Sequence, residues 1–267
     1  MDFLQSYGPW AVISGASEGT GRAFARQIAA QGVSCILIAR REGPLVELAE
    51  ELRAAHGVEC VTAAIDLSAP DAFKRIVAAV GDREVGLYVS NAGADPNGSR
   101  FLDKAVDTWL ALVQRNVMNV LQCCHHFAGP MRARKRGGLL LVNSAAAYGG
   151  GSFLATYSAS KAFDLCFAEG LWAELKPHGV DVLCLMMTTT DTPALRTLLT
   201  EKGMPAPAAI ASAEDVAAMG LARLKDGPVQ NWGLAEDEAG FAPMSASMRR
   251  ARVLGMDQAS KQIFGES

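Results

Sequence analysis

No window of the sequence approaches the run of about 20 apolar residues that crosses a bilayer, which argues against a membrane-inserted protein. The N-terminus, MDFLQSYGPW, lacks the basic flank and apolar stretch of a leader, so a soluble, unprocessed, cytoplasmic protein is expected. An excess of one charge is missing as well. Lys and Arg number 25 against 28 Asp and Glu, a net charge of −3, and basic residues are scattered apart from Arg132, Arg134, Lys135 and Arg136. A phosphate backbone demands a basic face, so nucleic acid is not an expected partner. The six cysteines (Cys35, Cys60, Cys123, Cys124, Cys166, Cys184) form no paired framework, and most sit in apolar runs where a thiol packs as a small hydrophobe. Such usage suits a reducing compartment. The run Cys123-Cys124-His125-His126 carries metal-binding side chains, yet consecutive helical residues fan around the axis and only Cys123 and His126 share a face. No metal is expected; a packed helix or a subunit contact is the better reading. Internal repeats, low-complexity tracts and linkers are absent.

What the chain does have is apolar residues, half of its 267, enough for one large core and a single domain over 1–267. Short aliphatic runs at Trp10–Ser14, Ser34–Ala39, Glu59–Ala64, Gly86–Ser90, Leu139–Asn143 and Asp181–Met187 read as strands covered on both faces. Between them, Gly19–Gln31, Pro44–His56, Pro70–Val80, a stretch from about 105 to 136, and Ala155–Lys176 carry helical spacing. A further helix is expected near Ala213–Leu224 and a strand near Val229–Trp232. This alternation implies an α/β fold: one Rossmann-type, doubly wound parallel sheet flanked by helices. Residues 188–210 read as a substrate lid, and 234–267 as a tail, helical in spacing from Pro243 to Phe264, that closes the site or packs on a neighbouring subunit.

The segment from Ser14 to Gly21, SGASEGTG, joins the first strand to the first helix. Glycine lets the backbone approach a ligand closely, and free amides at a helix start attract phosphate. Gly15, Ser17, Glu18, Gly19, Thr20 and Gly21 are therefore candidates to hold a dinucleotide pyrophosphate. At the end of the second strand an acidic residue would hold a ribose hydroxyl, whereas an arginine would accept a 2′-phosphate. Ala39 stands where the acid would be, and Arg40 and Arg41 follow. Two guanidiniums favour NADP(H), the alternative being a solvated helix entry. Asp66 and Leu67, then Asn91, Ala92 and Gly93, lie at the carboxyl ends of the third and fourth strands, where such sheets bind ligands. Asp66 also suits a helix cap, and Gly93 a simple bend.

Tyr157 and Lys161 are four residues apart in YSASK, so they share one helix face. A phenol loses its proton near pH ~10, but an adjacent ammonium favours the phenolate and brings it toward neutral acid-base work. Upstream, Ser144 ends the fifth strand, placed to donate to a substrate oxygen beside Tyr157. Charge that builds on the oxygen of a reduced ketone is stabilised by such prepositioned donors. Asn116 sits mid-helix, where asparagine is a mediocre helix former, so it has either an inward role or an exposed amide.

These residues, over roughly Trp10–Pro193, resemble the short-chain dehydrogenase/reductase family. SGASEGTG is similar to its TGxxxGxG, Ser90-Asn91-Ala92-Gly93 to its NNAG, and Asn116, Ser144, Tyr157 and Lys161 to its catalytic tetrad. Thr192 resembles the threonine after the sixth strand. The resemblance implies Tyr157 as general acid/base and Ser144 as carbonyl orienter. It also implies Lys161 on the nicotinamide ribose, and Asn116 holding a water-linked proton relay. The wording YGPWAVISGASEGTGRAFA, with ARRE and CHH further on, looks closest to NADPH-using hydroxysteroid dehydrogenases, of the bacterial 7β-hydroxysteroid and the animal 17β-hydroxysteroid/3-ketoacyl-CoA reductase types. Met187-Thr188 replaces the family's Pro-Gly and Ser90 its first asparagine. Thr188 and Thr190 hydroxyls then either contact the cofactor or face solvent.

Phe153, Leu195, Leu198, Leu199, Met204 and Trp232 are candidates for an apolar substrate pocket, or for core. The expected activity is NADP(H)-dependent interconversion of a bulky apolar ketone and its secondary alcohol, with a hydroxysteroid as the substrate class the resemblance implies. A 3-oxoacyl thioester reductase and a non-catalytic NADP(H) sensor are the alternatives. By resemblance, homodimers or homotetramers form through Leu110–Ala133 and Ala155–Lys176.

Overall fold

The computed structural model describes residues 2–95, 97–205, 207, 210–232 and 262 of the chain. Its main sheet holds β1 (Trp10–Ser14), β2 (Ser34–Ala39), β3 (Cys60–Ala64), β4 (Val85–Ser90), β5 (Gly137–Ser144), β6 (Val180–Met187) and a last strand, Val229–Asn231. A two-stranded parallel pair, β7 (Thr190–Asp191) and β8 (Ala211–Ser212), lies outside it, so the last strand is β9. All seven main strands are parallel, in the order β3-β2-β1-β4-β5-β6-β9. The order reverses between β1 and β4, and a sheet wound this way opens a crevice at the carboxyl ends of those strands.

The helices explain why the strands are apolar throughout. One face carries α2 (Gly19–Ala30), α3 (Glu42–His56) and α9 (Ala213–Arg223); the other carries α4 (Ala72–Val80), α6 (Asn119–Arg134) and α7 (Ala155–Leu175). Side chains alternate across each strand. Ala11 and Ile13 of β1 join the cluster of Phe24, Ile28, Leu45 and Leu48, while Val12 joins that of Ile76, Phe127, Met131 and Leu175. Burying each large aliphatic or aromatic chain contributes about 1.5–3 kcal/mol.

Several boundaries differ from the sequence expectation. The stretch near 105–136 resolves into α5 (Val106–Val113), a π-helical turn at Gln114–Met118, and α6. The region read as a lid contains β7 and α8 (Pro193–Glu201), whose Thr192 side chain accepts from Leu195 N at 3.2 Å, and β8 follows directly after it. A short helix, α1 (Phe3–Tyr7), precedes β1, and its Tyr7 hydroxyl donates to Asp181 Oδ2 at 2.7 Å. Burial pushes the Tyr7 phenol well up, and the Asp181 carboxylate beside it adds to the rise. The expected tail lies outside the described residues apart from Gln262. Among the described residues no helix is long and apolar enough to cross a membrane. Cys123 and Cys124 pack in the core, and His126 stands edge-on to Phe73 at 5.7 Å.

An ion-pair staple joins α2 to α3. Glu51 accepts from Arg26 Nε at 2.6 Å and from Arg22 Nη2 at 2.9 Å. The Arg26 guanidinium, with Arg22, holds the Glu51 carboxyl down at about 2, from its usual 4.5. A depressed carboxyl stabilises the fold above its unfolded value and loses that contribution as pH falls through the folded one. Glu51 is 36% exposed, so water screens the gain. Glu51→Gln should lower stability by about 1 kcal/mol at neutral pH. Urea unfolding of both proteins, repeated at falling pH, should show that difference shrinking.

Candidate active site

A cavity of about 390 Å³ opens where β1 and β4 diverge. Its floor is the turn from β1 into α2. Gly15 N and Ala16 N donate to Ile38 O at 2.7 and 3.1 Å, which ties the turn to β2. Gly15 has φ +71° and Gly19 φ +53°, conformations that L side chains rarely adopt. Ser14 Oγ accepts from Asn91 N at 3.1 Å, and Asn91 Nδ2 donates to Gly15 O at 3.2 Å, which clasps the two strand ends. Glu18 precedes α2 without its side chain capping the helix, so the first-turn amides remain available.

Of the catalytic and cofactor candidates read from the sequence, all but Gly21, Asn116 and Ser144 line this cavity: Gly15, Ser17, Glu18, Gly19, Thr20, Arg40, Arg41, Asp66, Leu67, Asn91, Ala92, Gly93, Tyr157, Lys161, Thr188 and Thr190. Some also serve the fold. Asp66 Oδ1 accepts from Ser68 N at 2.9 Å in a turn before α4, whose N-cap is Asp71, and Thr190 Oγ1 donates to Thr188 O at 3.2 Å. Arg41 pairs with Glu18 at 2.6 Å, so one guanidinium is held against the glycine turn.

Gly21, Asn116 and Ser144 stand off the cavity wall. A Cβ on Gly21 would come 2.0 Å from Gly15 O, so the missing side chain is what lets α2 approach the turn. Asn116 is fully buried in the π-helical turn, where its Nδ2 donates to Gly93 O at 3.2 Å and to Ser160 Oγ at 3.1 Å. Such a turn marks functional helices; here the amide locks α7 to the end of β4. Ser144 ends β5, and its Oγ accepts from Ala146 N at 3.2 Å. That bond uses an oxygen lone pair and leaves the serine O–H able to donate.

Tyr157 is half-buried and Lys161 is 4% exposed, both from α7. Lys161 Nζ donates to Val142 O at 3.1 Å and pairs with Asp164 Oδ2 at 3.5 Å. A Cβ on Gly93 would come 2.9 Å from that amine, so the glycine leaves room for it.

The sequence reading missed Arg115. It lines the cavity, donates from Nη2 to Ala94 O at 2.7 Å, and donates from Nε to Asn116 Oδ1 at 3.1 Å. Burial lowers its guanidinium, and the like charge of Arg40 lowers it further. Its signal was a lone cation in an otherwise uncharged helical stretch, LALVQRNVMNVL. None of the apolar pocket candidates Phe153, Leu195, Leu198, Leu199, Met204 and Trp232 lines this cavity. Phe153 is buried under Arg100, and Trp232 packs against the α2-side core, where its N donates to Met186 O at 2.8 Å. The leucines are half-buried along α8, whose Ala194 does reach the cavity.

Comparison with known proteins places this geometry. The family model for short chain dehydrogenase matches residues 9–203, which include the glycine turn, Tyr157 and Lys161. The chain belongs to the short-chain dehydrogenase family. It is thereby an oxidoreductase with the Rossmann-like architecture of that family. A 7β-hydroxysteroid dehydrogenase of Collinsella aerofaciens is 33% identical over 195 residues, 73% of this chain and 74% of that protein. A very-long-chain 3-oxoacyl-CoA reductase of Podospora anserina is 35% identical over 72% of this chain and 58% of its own length. A solved structure concerned with 7β-hydroxysteroid dehydrogenase stereoselectivity superposes with a TM-score of 0.83 at 27% identity, covering 100% of both chains.

Proposed function

We propose that this short-chain dehydrogenase interconverts a bulky apolar ketone and its secondary alcohol with NADP(H), hydroxysteroids being the favoured substrate class. The observation that carries the reading is that one cavity holds the glycine turn, Arg40 and Arg41, Tyr157 and Lys161 together. The cradle suits a dinucleotide: the Gly15–Gly21 approach has no room for side chains, and cations stand where an adenosine phosphate would lie. Gly15, Ser17, Glu18, Gly19, Thr20 and Gly21 would hold the pyrophosphate, and Asp66 and Leu67 the adenine. Asn91, Ala92 and Gly93 would flank the adenosine ribose, and Thr188 and Thr190 would stand beside the nicotinamide. When bound, the nicotinamide supplies or takes the hydride.

The residues of the chain do the rest. Tyr157 holds a proton at Oη and gives it to the substrate oxygen in reduction, or takes it back in oxidation. Ser144 donates its O–H to the same oxygen and orients it. Lys161, one turn further along α7, would hold the nicotinamide ribose and set its positive charge against negative charge developing on the phenol oxygen as the proton leaves. Asn116 fixes the backbone from which Arg115 and the end of β4 reach the cleft. Residues 188–210 are the substrate lid, with α8 as its body. The exposed Leu110, Met118 and Leu121 offer an apolar face to a second copy, and six free cysteines, five of them buried, suit the cytoplasm.

The similarity to a 3-oxoacyl-CoA reductase favours a second reading, with an acyl thioester as the ketone. A spectrophotometric screen of NADPH oxidation and NADP⁺ reduction over steroids, acyl thioesters and aromatic ketones separates the two. Binding of NADPH without turnover of any substrate would refute both.

Cofactor choice is tested separately. Each charge-assisted bond to a phosphate is worth about 1.5–3 kcal/mol. Removing both guanidiniums in Arg40→Ala/Arg41→Ala should raise the KM for NADPH by at least ~50-fold and change that for NADH less than about 3-fold. Equal effects on the two would overturn the phosphate assignment.

A further inference from the structure

Asp164 is absent from every role assigned so far, yet it is 3% exposed and charged. It sits one helical turn beyond Lys161 on α7, and its Oδ2 lies 3.5 Å from the lysine Nζ. Among the described residues its other oxygen, Oδ1, has no hydrogen-bond partner. Every polar contact the carboxylate makes is therefore with Lys161. The groups facing it from the other elements are the thiols of Cys184 on β6 and Cys124 on α6, both buried and pushed up by that burial, Cys184 to about 12. Lys161 is the charged group that acts on it, since Glu169 of α7 bears on Cys184 and not on Asp164.

A carboxylate in such a place is costly, and an apolar side chain would pack there with less penalty. We propose that Asp164 is a positioning residue: as the counter-ion of Lys161, it anchors the ammonium at the base of the cleft and sets how much of its charge acts on Tyr157. This rests on the roles proposed above for Tyr157 and Lys161. With the carboxylate ionised, the pair presents a dipole to the phenol rather than a full positive charge. With it neutral, the whole ammonium charge favours the phenolate. Burial raises Asp164 to about 6, with Lys161 opposing, so the change falls in a range that enzymes experience.

The test combines activity with a spectroscopic reading. In Asp164→Asn the amide keeps the shape and loses the charge. The acid limb of kcat/KM for alcohol oxidation should move to lower pH by roughly one unit, and Asp164→Glu should return it to the wild-type position. Independently, the Lys161 Cε resonance of ¹³C-lysine-labelled protein, assigned by its loss in Lys161→Arg, should show a step near pH 6 that Asp164→Asn abolishes. A limb that stays put or moves to higher pH in Asp164→Asn, or a wild-type lysine resonance without the step, overturns the proposal. If Asp164→Asn does not fold, the wild-type titration and the Asp164→Glu profile decide alone. If the wild type turns over no alcohol, the proposed activity fails while the lysine titration still judges the ion pair.

Discussion

Tyr157→Phe is expected to lower kcat by at least ~10³-fold, because it removes the proton that the substrate oxygen must receive or release. The ring is half-buried at the cavity, and phenylalanine fills the same space, so packing is preserved. General acid-base groups contribute about 10² to 10⁴ in rate, and the phenol's hydrogen bond to the developing charge adds to that. NADPH affinity should change less than about 3-fold, since the dinucleotide would rest mainly on the glycine turn and the arginines. Steady-state kinetics with the best ketone of the screen, alongside a fluorescence titration with NADPH, separate the two effects. Full activity in the phenylalanine variant would remove the tyrosine from the chemistry altogether.

Gly21→Ala is the second large effect, and it acts on the cradle. The added methyl would lie 2.0 Å from Gly15 O and 2.6 Å from Asn91 Nδ2. Neither can step aside cheaply. Gly15 O accepts from the Asn91 side chain at 3.2 Å, and Gly15 N is tied to Ile38 O at 2.7 Å. The first turn of α2 must therefore retreat, which costs about 1–3 kcal/mol as overpacking. It also withdraws the amides that would face the pyrophosphate. A ligand at a hundred times its Kd stabilises a fold by about 2.7 kcal/mol. Wild-type protein should thus melt several degrees higher with excess NADPH, and the alanine variant should melt lower and gain almost nothing. A normal thermal shift in that variant would show that the glycine is not needed to seat the cofactor.

Much of the fold was legible because parallel strands buried on both faces read as aliphatic runs, as β1, β2 and β4 do. The glycine turn and the Tyr157/Lys161 pair were legible for a different reason: fixed local geometry, a strand-to-helix turn and one helical turn, carries them. What escaped depends on tertiary packing. The five-residue α1 is too short to show periodicity, and it is held by Tyr7 reaching Asp181, 174 positions away. The π-helical turn at Gln114–Met118 carries no residue pattern of its own; Asn116 bonding to Gly93 and Ser160 accompanies it. Helix α8 did carry a signal, a capping threonine followed by proline, hidden among the threonines and prolines of the region read as a loop. Arg115 and Asp164 were overlooked because neither burial nor the direction a side chain faces can be read from spacing alone.

One measurement bears on the whole chemical assignment. NADPH carrying deuterium at the transferable C4 position is incubated with the wild-type protein and the best apolar ketone, and the product alcohol is analysed by mass spectrometry and NMR. Deuterium on the new carbinol carbon, with a primary isotope effect on kcat/KM, is predicted. An unlabelled alcohol, or NADPH bound and never consumed, would contradict hydride transfer in the cleft that Tyr157 and Lys161 share.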